Sequence, residues 1–152
     1  MAQGDFTWEN RLENGIWTYP LEEVWQGVQA AYAALAADVL AKCGQPPDHS
    51  GVHWRFGYDA WVSGVDAAGK LLVPFRTWRN TMTGAAAEEL TSAFGFNIPQ
   101  RWSAAHLYQA MLNREPHLPQ LDFFTTLAGY VHWQLTGRKV LGEGDASGMF
   151  PD

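Results

Sequence analysis

The chain has 152 residues, 47% of them hydrophobic, which is enough for one domain that buries about 70% of the surface its unfolded chain exposes. Ten lysines and arginines against sixteen aspartates and glutamates give a net charge of −6, which disfavours binding of nucleic acid through a basic face. We find neither the apolar run of roughly 18 residues that spans a membrane nor a signal peptide, so we expect a cytoplasmic protein that binds no membrane.

Several common site chemistries are disfavoured by the sequence. Cys43 is the single cysteine, so no disulfide framework or thiolate metal cluster is expected within the chain, in keeping with a reducing compartment. His49 and His53 have the spacing of two ligands on one helix face, but they lie in a Pro-rich loop, and we predict no metal site. Neither a complete GxxxxGK[S/T] phosphate loop nor a GxSxG nucleophile turn is present.

The amino-terminal part predicts an extended arm followed by one long helix. Residues 1–17 are mostly polar and show no regular period. Pro20 suits a first helical turn, and Glu22 and Glu23 complement the positive end of the helix dipole. Apolar side chains then recur at helical spacing to about Lys42, where Gly44 follows as a stop. They are Leu21, Val24, Trp25, Val28, Tyr32, Leu35 and Val39.

The middle of the chain predicts a hairpin. Residues 52–65 are aromatic and β-prone and indicate one or two strands. Residues 66–70 form a Gly-containing turn into a further strand at 71–73.

Three helices and a short strand are predicted after the hairpin. Thr83 is expected to cap a helix at 84–94, and Ser103 to cap the next, which runs toward Pro116. A third is predicted at 121–135, followed by a strand near 139–141. The sum is a single α/β domain at residues 1–152, with a small mixed sheet and about four helices.

Three local motifs place aromatic, amide and guanidinium groups beside turns or helix starts. They are PFRTWRNT at 74–81, NIPQRWS at 97–103, and LTG at 135–137 followed by GDASG at 144–148. Aromatic rings stack on the C–H faces of a sugar, while amides and guanidinium groups bond its hydroxyls. The motifs therefore favour recognition of a polyhydroxylated small molecule.

Phrases at residues 8–11 (WENR), 73–81 (VPFRTWRNT) and 128–137 (AGYVHWQLTG) resemble FGGY-family carbohydrate kinases, in particular the xylulokinase-like branch. The resemblance implies part of an actin-like (ribonuclease H-like) ATPase domain and ATP-dependent phosphorylation of a sugar or polyol hydroxyl. ATP and Mg²⁺ are implied for the full-length family. The family's Asp-x-Gly-Thr phosphate motif, catalytic Asp and nucleotide domain are not seen here, so this chain looks like the middle portion of the first domain.

The resemblance also implies substrate-binding positions on the first motif. Trp78 falls where the family places a Trp against the sugar, and Arg79 supplies a guanidinium beside it. Asn80 stands where relatives often have Asp in a Trp-x-Asp-x-Arg pattern, and Met82 replaces the Arg. These departures put the usual support of the turn in doubt. A core role for Trp78 is the alternative.

Other implied contacts come from two further segments. Arg101 and Trp102 match the place where polyol kinases offer an aromatic ring to substrate, with packing against a helix cap as the alternative. Asp59 and Trp61 lie in a segment that departs from the xylulokinase-like branch and is similar to one in rhamnulokinases. Asp59 is the best carboxylate for bonding hydroxyls, and a turn cap is its alternative reading.

Two more titratable residues need an interpretation. His106 stands where many relatives have Lys, and we expect a surface or partner-bonded histidine rather than a catalytic base. Asp145 lies in the Gly-rich turn of the last motif, which the family uses as a structural strand entry. The catalytic residue is therefore unknown.

Two functional hypotheses follow for the chain. In the first it is a carbohydrate-kinase fragment or truncated homologue that binds sugar, holds no cofactor alone and does not turn over by itself, so its status as an enzyme stays open. In the second it is a non-catalytic sugar-binding or protein-interaction domain. Its partner would then be a second copy or the missing kinase half, which would cover an exposed sheet edge.

Overall fold

A computed structural model describes residues 3–48 and 60–149. The chain divides into two compact units, the first made of Met1–Arg11 and Tyr19–Arg55 and the second of Leu12–Thr18 and Phe56–Asp152. The predicted α/β class is confirmed, with five α-helices in the described ranges where the sequence predicts about four. None of these helices combines the length and apolar character that crossing a membrane requires.

The first unit is built on helix α1, Leu21–Cys43, as the apolar period predicts. Its buried face is formed by Val24, Gly27, Val28 and Ala31. The helix ends at Gly44, whose φ of 70° is costly for other residues and whose N–H donates to the Leu40 carbonyl at 2.9 Å.

Small residues let the amino-terminal segment lie directly on α1. A Cβ added at Gly27 would stand 1.7 Å from the Phe6 ring, and one added at Gly4 would stand 1.9 Å from the Ala31 carbonyl oxygen. Trp8 and Tyr19 then meet edge to face, with ring centroids 6.1 Å apart. Part of the predicted extended arm is therefore packed against the helix.

A two-stranded hairpin precedes α1, where the sequence analysis expects only an extended arm. Strand β1 is Arg11–Glu13 and strand β2 is Ile16–Thr18. Asn14 and Gly15 between them have φ values of 50° and 79°. Positive φ at both central residues is the type I′ geometry that Asn-Gly favours, so this prediction was wrong at a recognisable signal.

The second unit contains a three-stranded antiparallel sheet. Its strands are β3 (Ala60–Val65), β4 (Arg76–Thr77) and β5 (Phe123–Thr125), in the order β4-β3-β5. The register of β3 and β4 shifts between Ala60, opposite Thr77, and Val62, opposite Arg76. This irregularity lies immediately before the turn that carries Trp78 and Arg79.

The predicted hairpin after β3 is present, although its second strand is short. The Asp66 carboxylate accepts a hydrogen bond from the Lys70 N–H at 2.8 Å, which closes the turn. Pairing resumes as a single bridge between Val65 and Leu71 rather than as a strand over 71–73.

The predicted helix at 121–135 is a strand followed by a shorter helix. The run Phe-Phe-Thr forms β5 beside β3, because aromatic and β-branched residues suit a pleated surface. Helix α4, Leu127–Thr136, starts after Thr126, whose hydroxyl accepts from the Gly129 N–H at 3.0 Å.

The segment after α4 also differs from the prediction. No strand forms near residues 139–141. The Gly-rich motif, expected as a turn, becomes helix α5, Glu143–Met149.

Helices α2 (Gly84–Phe94) and α3 (Ser103–Leu112) pack through small residues, with Ala87, Ile98 and Ala105 buried between them. Thr83 precedes α2 as predicted, but its hydroxyl donates to the Gln100 carbonyl at 2.6 Å instead of capping the helix. Ser103 is the first residue of α3 and Trp102 is the N-cap, so the predicted cap was one residue late.

Aromatic rings hold α4 on the sheet. Phe75, 1% exposed, meets Tyr130 edge to face at 5.7 Å, and Tyr130 in turn meets Trp133 at 5.8 Å. Leu127 and Val65 are fully buried in the same region. The core of the second unit therefore lies next to β4, which fixes the base of the Trp78 turn.

Candidate functional site

The turn after β4 presents an exposed aromatic and a guanidinium group. Trp78 is 43% exposed although it is a large apolar side chain, and Arg79 is exposed beside it. The Arg79 guanidinium carbon lies 5.0 Å from the centre of the Trp78 ring and 5.7 Å from that of the half-buried Trp17. These are cation–π distances, and we call the three side chains the Trp78 platform.

Hydrogen bonds of the Asn80 side chain position this platform. Its side chain accepts a hydrogen bond from the Trp17 N–H at 2.9 Å and donates to the Trp17 carbonyl at 2.8 Å and the Thr77 carbonyl at 2.9 Å. Asn80 is 3% exposed. Its side chain bonds the backbone of β2, as the backbone of a neighbouring strand would, instead of facing solvent. Its amide thus ties Trp17 to the turn that carries Trp78 and Arg79.

The platform has the chemistry that a sugar needs. Exposed indole faces offer flat apolar area for C–H groups. The guanidinium group of Arg79 has no hydrogen-bond or ion-pair partner in the described ranges, so its N–H groups are available to hydroxyls. Trp17 was missed by the sequence analysis, because β4 and Asn80, which bring it to this turn, are distant from it in the sequence.

Arg101 and Trp102 lie on a neighbouring loop and differ from each other. The bond from Thr83 to Gln100 joins this loop to the segment just after the platform. Arg101 is exposed. Trp102 packs on the core between α2 and α3, and its ring centroid is 6.1 Å from that of Phe96. Arg101 is thus open to a ligand, whereas much of Trp102 serves packing.

The remaining substrate-binding positions of the sequence analysis fall at the edge of the described chain. Asp59 lies outside the described residues. The backbone of Trp61 runs in β3, whose Ala60 is opposite Thr77. Its segment is therefore next to the strand that leads into Trp78.

A second polar cluster is buried at the base of β4. The Arg76 guanidinium group donates to Glu115, and these side chains are 8% and 19% exposed. Burial alone would raise the pKa of Glu115, but the hydrogen bond and charge of Arg76 outweigh it and hold that pKa below its ordinary value. The His117 Nδ1 atom lies 3.5 Å from the same carboxylate oxygen, and burial lowers the pKa of His117.

His106 belongs to this cluster and not to the surface. Its residue exposure is 1%, and neither ring nitrogen has a hydrogen-bond partner in the described part of the chain. Burial, and next the charge of Arg76, lower its pKa to about 4, so the ring is neutral at pH 7. The expectation of a surface or partner-bonded histidine was therefore wrong.

Two further motifs have structural roles. Asp145 of α5 shares a hydrogen bond with Thr126, and burial raises its pKa. Residues 64–70 have GxxxxGK spacing, but they end β3 and turn into the bridge at Leu71. A phosphate loop instead joins a strand to a helix and needs Ser or Thr after its Lys. The described residues contain no group of three or more side chains suited to a metal ion.

Comparison with known proteins gives a result at the level of structure. No protein-family model matches the sequence, and no curated protein matches it significantly. The chain superposes on a xyloylose kinase from Brucella ovis with a TM-score of 0.74 and 17% identity, covering 97% of this chain and 31% of that one. It superposes on the xylulose kinase from Rhodospirillum rubrum with a TM-score of 0.67 and 20% identity, covering 93% of this chain and 31% of that one.

The fold expected from the resemblance is thus confirmed, and the chain spans about a third of the kinases that it matches. The sequence identities are low, so the likeness concerns architecture. The α/β chain therefore has the fold of one part of a sugar kinase.

Proposed function

We propose that this chain forms the sugar-contacting surface of an FGGY-type carbohydrate kinase and that the Trp78 platform is its sugar-binding element. The main support is the pairing of an exposed Trp78 with an Arg79 guanidinium that has no hydrogen-bond or ion-pair partner among the described residues. An indole ring with this exposure leaves a flat apolar face accessible for stacking. The likeness to the fold of xylulose kinases supports a sugar or polyol as the ligand.

Within this proposal the residues have different parts. Trp78 stacks on the sugar C–H face, and Arg79 donates to its hydroxyls. Asn80 positions the platform through Trp17, as its burial and bonds indicate. Exposed Arg101 supplies a further polar contact to the sugar. Asp59, a sugar-bonding candidate from the sequence, lies outside the described residues.

Phosphorylation itself would use ATP and Mg²⁺ bound outside this chain. Phosphoryl transfer depends on positioning and charge stabilisation, which need a phosphate cradle, a metal and a base. We therefore propose that the isolated chain binds sugar and does not turn over. Sugar-dependent ADP release by the purified chain at a rate typical of kinases would contradict this part.

The binding test is a calorimetric titration with pentoses, pentuloses, 6-deoxyhexoses and glycerol, with and without Mg-ATP. We expect a sugar to bind independently of ATP, and Trp78→Ala to weaken it about tenfold, equivalent to about 1.4 kcal/mol. The matched control is Phe94→Ala, which removes an aromatic side chain that is 59% exposed and lies at the end of α2. Equal losses in both variants, or no binding of any sugar, would refute the platform.

A second candidate is an interaction domain, and one surface favours it. Phe94 is 59% exposed at the end of α2, and Phe96, two residues later, is 55% exposed with its ring centroid 6.1 Å from that of Trp102. Apolar groups clustered in this way are typical of surfaces that a partner covers. A second copy or another part of a kinase is the partner we propose. Sedimentation of the chain alone distinguishes them, because a concentration-independent monomer excludes the self-pairing.

A further inference from the structure

The base of β4 encloses a small cavity beside the buried cluster. Its volume is about 20 Å³, and its lining includes Arg76, His106, His117, Ser63 and Phe124. About 10–15 Å³ suffices for one water molecule, so the cavity has room for one water molecule or an ion of similar size.

Two residues that line this cavity, Arg76 and His106, carry buried polar atoms with no partner. The Nε of Arg76 and both ring nitrogens of His106 are buried and make no hydrogen bond within the described ranges. The Ser63 hydroxyl instead donates to the Val73 carbonyl at 2.8 Å. A buried polar atom without a partner costs about 1–3 kcal/mol, so three of them on two residues that line one cavity indicate a ligand.

The ionisation state of His106 decides the chemistry of that ligand. The Arg76 Nε–H is a donor in every state, whereas neutral His106 offers one donor and one acceptor. A water molecule matches that mixed set. When His106 is protonated, all three of these atoms are donors, and its ring adds one positive charge to the cluster. That arrangement matches an anion.

We propose that the cavity is a binding site for one small monovalent anion, of the size of chloride, which enters together with a proton on His106. Charge balance supports the coupling, since an anion beside neutral His106 would stand uncompensated in a buried site. The proton and the anion together leave the net charge of the cluster unchanged. The site is separate from the Trp78 platform and does not depend on the proposed function.

Among the described residues, few other charged groups lie where they could couple the protonation of His106 to anion binding. Arg76 and Glu115 act on it directly, and His117 joins them through Glu115. The helices packed on α3 carry acidic groups outside the cavity lining. These are Glu88 and Glu89 of α2, which are exposed, Glu143 of α5, which is exposed, and Asp145, which bonds Thr126.

The test is an NMR titration of the histidine Cε1 protons from pH 3 to 8 in sodium chloride and in sodium gluconate at equal ionic strength. Without an anion, burial and Arg76 hold the pKa of His106 at about 4. A chloride ion in contact should raise it by about one unit, while gluconate is too large to enter. Exposed His132 on α4, which does not line the cavity, is the internal control.

Identical titration of His106 in the two salts would overturn the proposal and leave the cavity as a water site. If the protein unfolds before His106 titrates, the pH of acid unfolding becomes the readout. We then expect that pH to be lower in chloride, and the difference between salts to disappear in His106→Gln but persist in His132→Gln. An unfolding pH that is the same in both salts, or a difference that survives in His106→Gln, would overturn the proposal equally.

Discussion

Replacing Asn80 by alanine removes the side chain that ties β2 to the Trp78 turn. Three hydrogen bonds are lost, two to the Trp17 backbone and one to the Thr77 carbonyl, all at 2.8–2.9 Å. Each such bond contributes about 1 kcal/mol net, so the expected loss in unfolding free energy is about 3 kcal/mol. That is a large share of a typical total of about 5–15 kcal/mol.

Urea unfolding followed by tryptophan fluorescence measures this loss, and a thermal scan should show a midpoint lower by about 6–12 °C. The control is Asn97→Ala, because Asn97 is exposed and should change stability by less than about 0.5 kcal/mol. If Asn80→Ala is as stable as the control, the amide does not hold Trp17, and our account of the platform is wrong. We also expect Asn80→Ala to weaken sugar binding by the folded protein.

Two other substitutions test the interior. Glu115→Gln leaves Arg76 buried without its counter-charge and should cost near the lower end of about 3–5 kcal/mol, since Glu115 is 19% exposed. The pKa of Glu115 in the folded protein lies below the ordinary 4.5. The loss of unfolding free energy in Glu115→Gln, measured with urea, should therefore be complete at pH 7 and become smaller as the pH falls below 4.5. Asp38→Asn, in an exposed pair, should cost under about 1 kcal/mol. Gly69→Ala strains a φ of 85° and places a Cβ 2.6 Å from the Trp133 ring, so its thermal midpoint should fall by several degrees; an unchanged midpoint would contradict the packing.

Local rules predicted the long elements well. The apolar period of α1 and the stops at Gly44 and Gly95 depend on residues close in sequence, and the structure agrees with them. The error at 121–135 has a different origin. The sequence of Phe123–Thr125 is compatible with both the helical and the strand period. It forms a strand because it pairs with β3. The hairpin at Asn14 and Gly15, in contrast, could have been predicted, because Asn-Gly is a strong sequence signal for a type I′ turn.

The sites depended on long-range contacts that no local pattern contains. Trp78 and Arg79 could be nominated from their motif, yet Trp17 joins them through contacts with β4 and Asn80, which are distant in the sequence. The Arg76–Glu115 pair likewise joins residues 39 apart in the sequence. His106 is buried because of where α3 packs. The helical period of the sequence shows which residues share a face of α3, but not what that face packs against.

The bonds between Asn80 and Trp17 also bear on how the chain folds. They close a loop of 63 residues, and the whole of α1 lies within that loop in sequence. Long-range contacts must overcome the entropy of loop closure before they stabilise anything, so this pairing should form after α1 and the β3 hairpin. The Trp17 amide, bonded only once the loop is closed, would then gain protection from hydrogen exchange late in refolding.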